Sequence, residues 1–246
     1  MIPDHVLQLF PVSRRLNVHP SLIPLYRGPA PIQHVIADGR DETGVSIIEM
    51  KEKKFGADKG DIWAIKNIDI PPRSHYADLR DSLADEGGKV LVYVLRNMIN
   101  GTITASPQDN SKASHAPFIT TETAKIDFHT WDAEKIERLS RAIGHQRPLT
   151  TTYPSSETLQ LHAPKALVRS HTATNTGLAK PLQALQAPGE ATYDPTTGYI
   201  AIRCANDTYV YVPKLKQQHK KLLEAKAWWP GVRKEWIPRR VLKLGS

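Results

Sequence analysis

Two polar side chains, Asn17 and His19, sit one residue apart at the end of the short run Leu16-Asn17-Val18-His19. If the run is a strand, both side chains leave the same face, because successive side chains alternate. A primary amide beside a carbonyl can donate a hydrogen bond to a developing oxyanion. An imidazole changes charge near neutral pH and can carry a proton in either direction. Together they suit a reaction in which charge builds on a carbonyl oxygen while a proton moves. The same pair also serves as an ordinary strand-end cap, and the two residues alone leave both readings open. Farther along, Asp58-Lys59-Gly60-Asp61 marks a turn. An aspartate there can be purely structural, its side chain bonding its own backbone, and Asp61 is read that way.

The flanking sequence supplies elements to hold these groups. Residues 4–10 predict a short helix capped by Asp4. Pro20, Pro24, Gly28, Pro29 and Pro31 force a loop directly after His19. Residues 31–37 suit a helix with proline in its first turn, stopped by Gly39. Residues 45–50 and 62–65 read as strands, and 76–99 as two helices broken near Gly87-Gly88. Residues 104–124 are polar and lack periodicity, which predicts a linker. A helix is expected over 131–143, with Ile136, Leu139 and Ile143 on one side. Short strands around 158–162, 199–203 and 208–212 suggest a small β-barrel or sandwich. Residues 163–187 read as a mobile insertion, and 214–229 as strongly helical, with Leu215, Leu222 and Trp229 on one face.

Composition narrows the partners. The 246 residues carry a formal charge of +8. That balance favours an anionic partner, nucleic acid first and an anionic membrane second. From Arg203 onward there are 11 basic residues, including Lys214, Lys220 and Lys221, against Asp207, Glu224 and Glu235. Such a cluster suits phosphate contacts, and Trp228, Trp229 and Trp236 can stack on exposed bases. The lysines equally suit a solvated face, and Trp229 a packed one. Cys204 is the only cysteine, so an intrachain disulfide and a cysteine-based zinc site are excluded. No apolar run approaches the roughly 20 residues that span a membrane, and the first residues do not form a signal peptide.

Four linked blocks then carry a resemblance: Asn17 to Pro24, the Tyr26-Arg27-Gly28-Pro29-Ala30-Pro31-Ile32-Gln33 loop, Glu42 to Val45, and Asp58-Lys59-Gly60. In this order they resemble the formyltransferase family that uses 10-formyltetrahydrofolate as formyl donor. The resemblance implies acyl transfer to an amine, with Asn17, His19 and Asp58 catalytic. Asp58 would favour the charged imidazole and order a water. It implies folate contacts from Ser21, Leu22, Ile23 and Pro24, and substrate contacts from Tyr26, Arg27, Lys214, Lys220 and Lys221. The Arg27 to Gln33 loop, Pro107-Gln108-Asp109 and Ala124 to Phe128 resemble the branch that acts on initiator methionyl-tRNA.

The expected fold is α/β. A partial Rossmann-like formyltransferase domain over 1–103 and a linker over 104–124 would precede an OB-like barrel over 125–246 that binds tRNA. The family's pattern implies that about half of the catalytic domain precedes residue 1, leaving a bare sheet edge and a chain that alone would be inactive or poorly soluble. A monomer without metal or membrane is expected; the diverged tail and lysine-rich insertions point to the mitochondrial matrix, the alternative being the bacterial cytoplasm. Two other readings remain: a folate-dependent formyltransferase acting on a nucleotide or sugar amine, and a tRNA-binding remnant without turnover.

Overall fold

The structure is a computed structural model, and it describes residues 2–167 and 180–245. The chain divides into two compact units, Met1–Ile119 and Thr120–Ser246.

The first unit is built on three strands, β1 (Leu16–His19), β2 (Glu42–Glu49) and β3 (Ile62–Asp69), in the order β1-β2-β3. Both pairings are antiparallel, so the described part of this sheet contains no parallel pair. Central β2, Glu-Thr-Gly-Val-Ser-Ile-Ile-Glu, is buried at every position after Glu42, as expected of a strand covered on both faces. Helices α1 (Asp4–Leu7) and α2 (Pro31–Ala37) belong to the same unit, α2 starting at Pro31 as its sequence predicts.

One face of the sheet is covered by α3, which runs unbroken over Tyr76–Ile99. This corrects the expectation of two helices. Gly87 is not a breaker but a contact point: a Cβ there would lie 2.6 Å from Val18 Cγ1 and 3.7 Å from Val45 Cγ1. The missing side chain lets helix and sheet approach, which outweighs the propensity cost of about 1 kcal/mol for a mid-helix glycine.

The stretch read as a linker is largely pinned to this unit. Ile62 and Ser106 exchange both backbone hydrogen bonds, at 2.8 and 2.9 Å. Arg27 N–H donates to Ser114 at 2.9 Å, and Ala116 N–H donates to Arg27 at 2.7 Å. Residues 104–119 thus borrow their order from tertiary pairing, which local periodicity does not report.

In the second unit, α4 (Ala133–Ile143) is capped by Asp132, whose side chain accepts from Lys135 N–H at 2.7 Å. Strands β4 (Leu149–Thr152), β5 (Thr158–His162), β10 (Lys214–Gln217) and β11 (Leu223–Glu224) form one sheet, ordered β11-β10-β5-β4. Strands β6 (Lys165–Ala166), β7 (Glu190–Asp194), β8 (Tyr199–Arg203), β9 (Tyr209–Val212) and β12 (Leu242–Lys243) form another, ordered β12-β7-β8-β9-β6. Neither closes on itself among the described residues. Short helices α5 (Lys180–Gln183) and α6 (Ala225–Trp228) complete the unit. The expected insertion over 163–187 falls partly on 168–179, outside the described residues; its flanks form β6 and α5.

The expected helix over 214–229 is overturned. Lys214-Leu215-Lys216-Gln217 pairs with β5, burying Leu215 and Gln217 and turning the lysines outward. Tertiary pairing overrides good helix formers here. Leu215 is fully buried and Leu222 exposed, so the predicted common face does not exist.

Candidate active site

Strand β1 delivers its side chains as the two-residue period requires. Asn17 lies opposite Ile48 and His19 opposite Ser46, on the face away from α3, while Val18 meets Gly87 on the other. His19 is only 4% exposed. Its Nε2 is 3.0 Å from the Tyr26 carbonyl oxygen. A carbonyl only accepts, so Nε2 must carry a proton. That leaves Nδ1 as the nitrogen that gains or gives one, and Nδ1 faces Asp58 Oδ2 at 3.8 Å. The separation is in ion-pair range but too long for a direct hydrogen bond.

Asp58 reaches this place from a turn 39 residues later in the chain. It has left-handed backbone geometry, φ 55°, an uncommon state for a residue with a Cβ. Its Oδ2 accepts from Gly28 N–H at 2.9 Å. The turn packs against β2 so closely that a Cβ on Gly60 would lie 1.8 Å from the Glu49 carbonyl oxygen; only glycine fits there.

Asn17 and Asp58 line one cavity of about 320 Å³, together with Ile48, Glu49, Gly56 and Leu7. Burial, with the Asp61 charge adding to it, holds the Glu49 carboxyl above its ordinary value. The structure therefore brings Asn17, His19 and Asp58 together: two face the cavity, and the third pairs with Asp58.

The remaining predicted site residues behave differently. Ser21 is fully buried, and its hydroxyl donates to the Leu25 carbonyl at 2.7 Å. Ser46 Oγ donates to the Ser21 carbonyl at 2.7 Å and accepts from Ile23 N–H at 3.2 Å. Leu22 packs over Gly44, and Ile23 is buried. Ser21, Leu22, Ile23 and Pro24 thus brace the strand end, and none lines this cavity.

The side chains of Tyr26 and Arg27 are likewise tied to protein groups. The Tyr26 hydroxyl donates to Asp38 at 2.8 Å and accepts from Arg40 Nε at 3.1 Å. Burial pushes this phenol above its ordinary value. Arg27 is 3% exposed, and burial pulls its guanidinium below its ordinary value while the Asp58 charge opposes. Arg27 Nη2 donates to Asn110 at 2.8 Å. The backbone beside these side chains reaches the strand tip: the Tyr26 carbonyl lies against His19, and Gly28 N–H donates to Asp58.

In the second unit, Lys214 pairs with Glu224 at 3.1 Å, and Lys220 donates to Gln217 at 3.0 Å. Lys221 is exposed. Trp228 and Trp229 are buried rather than open for stacking; Trp236 is partly exposed, with the Arg233 guanidinium 4.7 Å from its ring centre. Sequence reasoning missed Gln108, Asn110 and Ser114, which surround Arg27 and Tyr26. For Gln108 the available signal was its place in the Pro107-Gln108-Asp109 block; Asn110 and Ser114 offered only an amide and a hydroxyl in a stretch without periodicity.

Residues 1–95 match the family described as Formyl transferase, and residues 118–233 match Formyl transferase, C-terminal domain. The chain belongs to the formyltransferase family. Within it, the chain is similar to the methionyl-tRNA formyltransferase of Sulfurihydrogenibium sp., at 39% identity over 52% of this chain and 40% of that one. It is also similar to the mitochondrial methionyl-tRNA formyltransferase of Homo sapiens, at 32% identity over 91% of this chain and 55% of that one. The chain spans about half the length of the curated relatives it matches. Its fold resembles HypX from Aquifex aeolicus in complex with tetrahydrofolic acid, with a TM-score of 0.57 and 18% identity over 87% of this chain and 34% of that one.

Proposed function

We propose that this chain carries the reacting groups of a methionyl-tRNA formyltransferase, which moves a formyl group from 10-formyltetrahydrofolate to the amino group of methionine on initiator tRNA. The observation that carries this reading is the meeting of Asn17, His19 and Asp58 around one cavity edge. The neutral methionyl amine attacks the formyl carbon, forming a C–N bond and an oxyanion. The Asn17 amide donates to that oxyanion. The amine nitrogen then sheds a proton, the bond from the formyl carbon to the folate nitrogen breaks, and that nitrogen takes up a proton. His19 Nδ1, with the Asp58 carboxylate 3.8 Å away to stabilise its charged form, takes the proton from the amine nitrogen, directly or through a water, and passes it to the folate nitrogen as that bond breaks.

Lys220 and Lys221 in the second unit would contact tRNA phosphates, a role supported by the basic excess from Arg203 onward. Localisation in the mitochondrial matrix is supported by the human mitochondrial relative aligning with 91% of this chain. Among the described residues, no helix is long and apolar enough to cross a membrane.

The test is formylation by the full-length protein with charged initiator tRNA against aminosugars, aminonucleotides and free methionine. The reading predicts transfer to the tRNA at least about 100-fold faster than to any small amine. Faster transfer to a sugar or nucleotide amine would reassign the substrate. Salt-sensitive tRNA binding with no turnover would mark a binding remnant.

A further inference from the structure

The Asp58 turn depends on ties outside itself. Its left-handed backbone is unfavourable for a residue with a Cβ, yet it must hold a carboxylate against both Gly28 N–H and His19. The side chain of Gln108 uses its full hydrogen-bonding capacity on this task. Nε2 donates to the Asp58 carbonyl at 2.8 Å and to the Gly60 carbonyl at 2.6 Å. Oε1 accepts from Arg27 Nε at 2.9 Å and from Arg27 Nη2. The orientation of the amide is set by its partners, since carbonyls only accept and a guanidinium only donates. One side chain therefore couples the backbone of the Asp58 turn to Arg27, whose neighbour Gly28 holds the Asp58 carboxylate.

We propose that Gln108 is a positioning residue: it clamps the Asp58 turn to the Arg27-Gly28 loop and so sets the spacing between Asp58 and His19. The consequence for catalysis rests on the formyl-transfer reading; the clamp itself does not. No other common side chain of this reach offers two donors and an acceptor in one plane. Glutamate keeps a partner for Arg27 but turns two donors into repelling acceptors. Asparagine is one methylene too short to span both sides.

The test compares Gln108→Glu and Gln108→Ala in the full-length protein by amide hydrogen exchange and steady-state kinetics. The clamp predicts that Gly28 N–H exchanges at least about 10-fold faster in both variants, while Ile47 and Ile48 in β2 keep their protection. It also predicts kcat falling about 10- to 100-fold with both KM values within about 2-fold. Should Gln108→Ala fail to fold, Gln108→Glu carries the measurement, because it retains the Arg27 pairing. Unchanged Gly28 exchange overturns the proposal. Wild-type exchange in Gln108→Glu alone also overturns it, reducing Gln108 to a counterpart for Arg27. Faster Gly28 exchange with an unchanged kcat sustains the clamp and removes Asp58 from catalysis, so the two readings fail separately.

Discussion

The two units present polar groups in opposite ways. In the first, Asn17, His19, Asp58, Arg27 and Gln108 converge on a few ångströms, and each of the last four makes a directional contact with a named atom. In the second, the basic residues are spread over exposed strands and turns, and pairs such as Lys214–Glu224 are open to solvent. Buried directional contacts transmit a small displacement as a large change in rate, while exposed ones act through a field that salt screens. The first unit should therefore be intolerant of single substitutions, and the second tolerant.

The largest effect expected is at the strand tip. Asn17→Ala should lower kcat by roughly 10²–10³ with little change in melting temperature, as loss of an oxyanion donor does. A stopped assay on saturating initiator tRNA, run beside a thermal melt, checks it. A fall in stability without a fall in kcat would make Asn17 a strand cap.

Some described residues of the second unit are buried and directional as well, Asp194 most fully. Asp194 is 1% exposed and accepts from Thr196 N–H at 2.9 Å, Thr197 Oγ1 at 3.2 Å and the Tyr211 hydroxyl at 3.0 Å. Burial alone would raise this carboxyl; the three donors outweigh it and hold it below its ordinary value. A depressed acid stabilises the fold above its unfolded value and loses that contribution as pH falls through the folded one. Asp194→Ala should thus cost on the order of 2 kcal/mol at pH 7, with the gap to wild type closing below about pH 4. Urea unfolding at several pH values measures this; a pH-independent gap would deny the carboxylate its role.

Ser21→Ala tests how far the first unit's support differs from its chemistry. Its hydroxyl serves Leu25, so the variant should lose about 1 kcal/mol of stability and leave the KM for the folate donor unchanged. A raised donor KM would return Ser21 to the ligand. The smallest effect belongs to the surface lysines. Lys220→Ala with Lys221→Ala should leave melting within about 0.5 kcal/mol of wild type. It should weaken tRNA binding and reduce the salt slope of log K by up to about 2. An unchanged slope would move the RNA contact elsewhere.

Much of this site was legible in the sequence wherever a local rule was enough. The spacing of Asn17 and His19 fixes their common face whatever lies around them, and Pro31 starts α2 where its fixed φ suits a first turn. What was not legible depends on partners distant in the chain. Lys214-Leu215-Lys216-Gln217 reads as helix until β5 is available to pair with it. Gln108 reads as linker because its bonds go to residues 48 to 81 positions away. Tyr26 and Arg27 were expected to contact substrate; their side chains instead meet Asp38, Arg40, Gln108 and Asn110, partners that lie 12 to 83 positions away.

Single-turnover formyl transfer by the full-length protein, wild type against Asp58→Asn, weighs this account most directly. The substitution preserves shape and still accepts from Gly28 N–H, but removes the charge facing His19 Nδ1. A transfer rate at least about 100-fold lower, with initiator tRNA bound as tightly as before, is the predicted result. Transfer at the wild-type rate would contradict it and take the carboxylate out of the proton transfer.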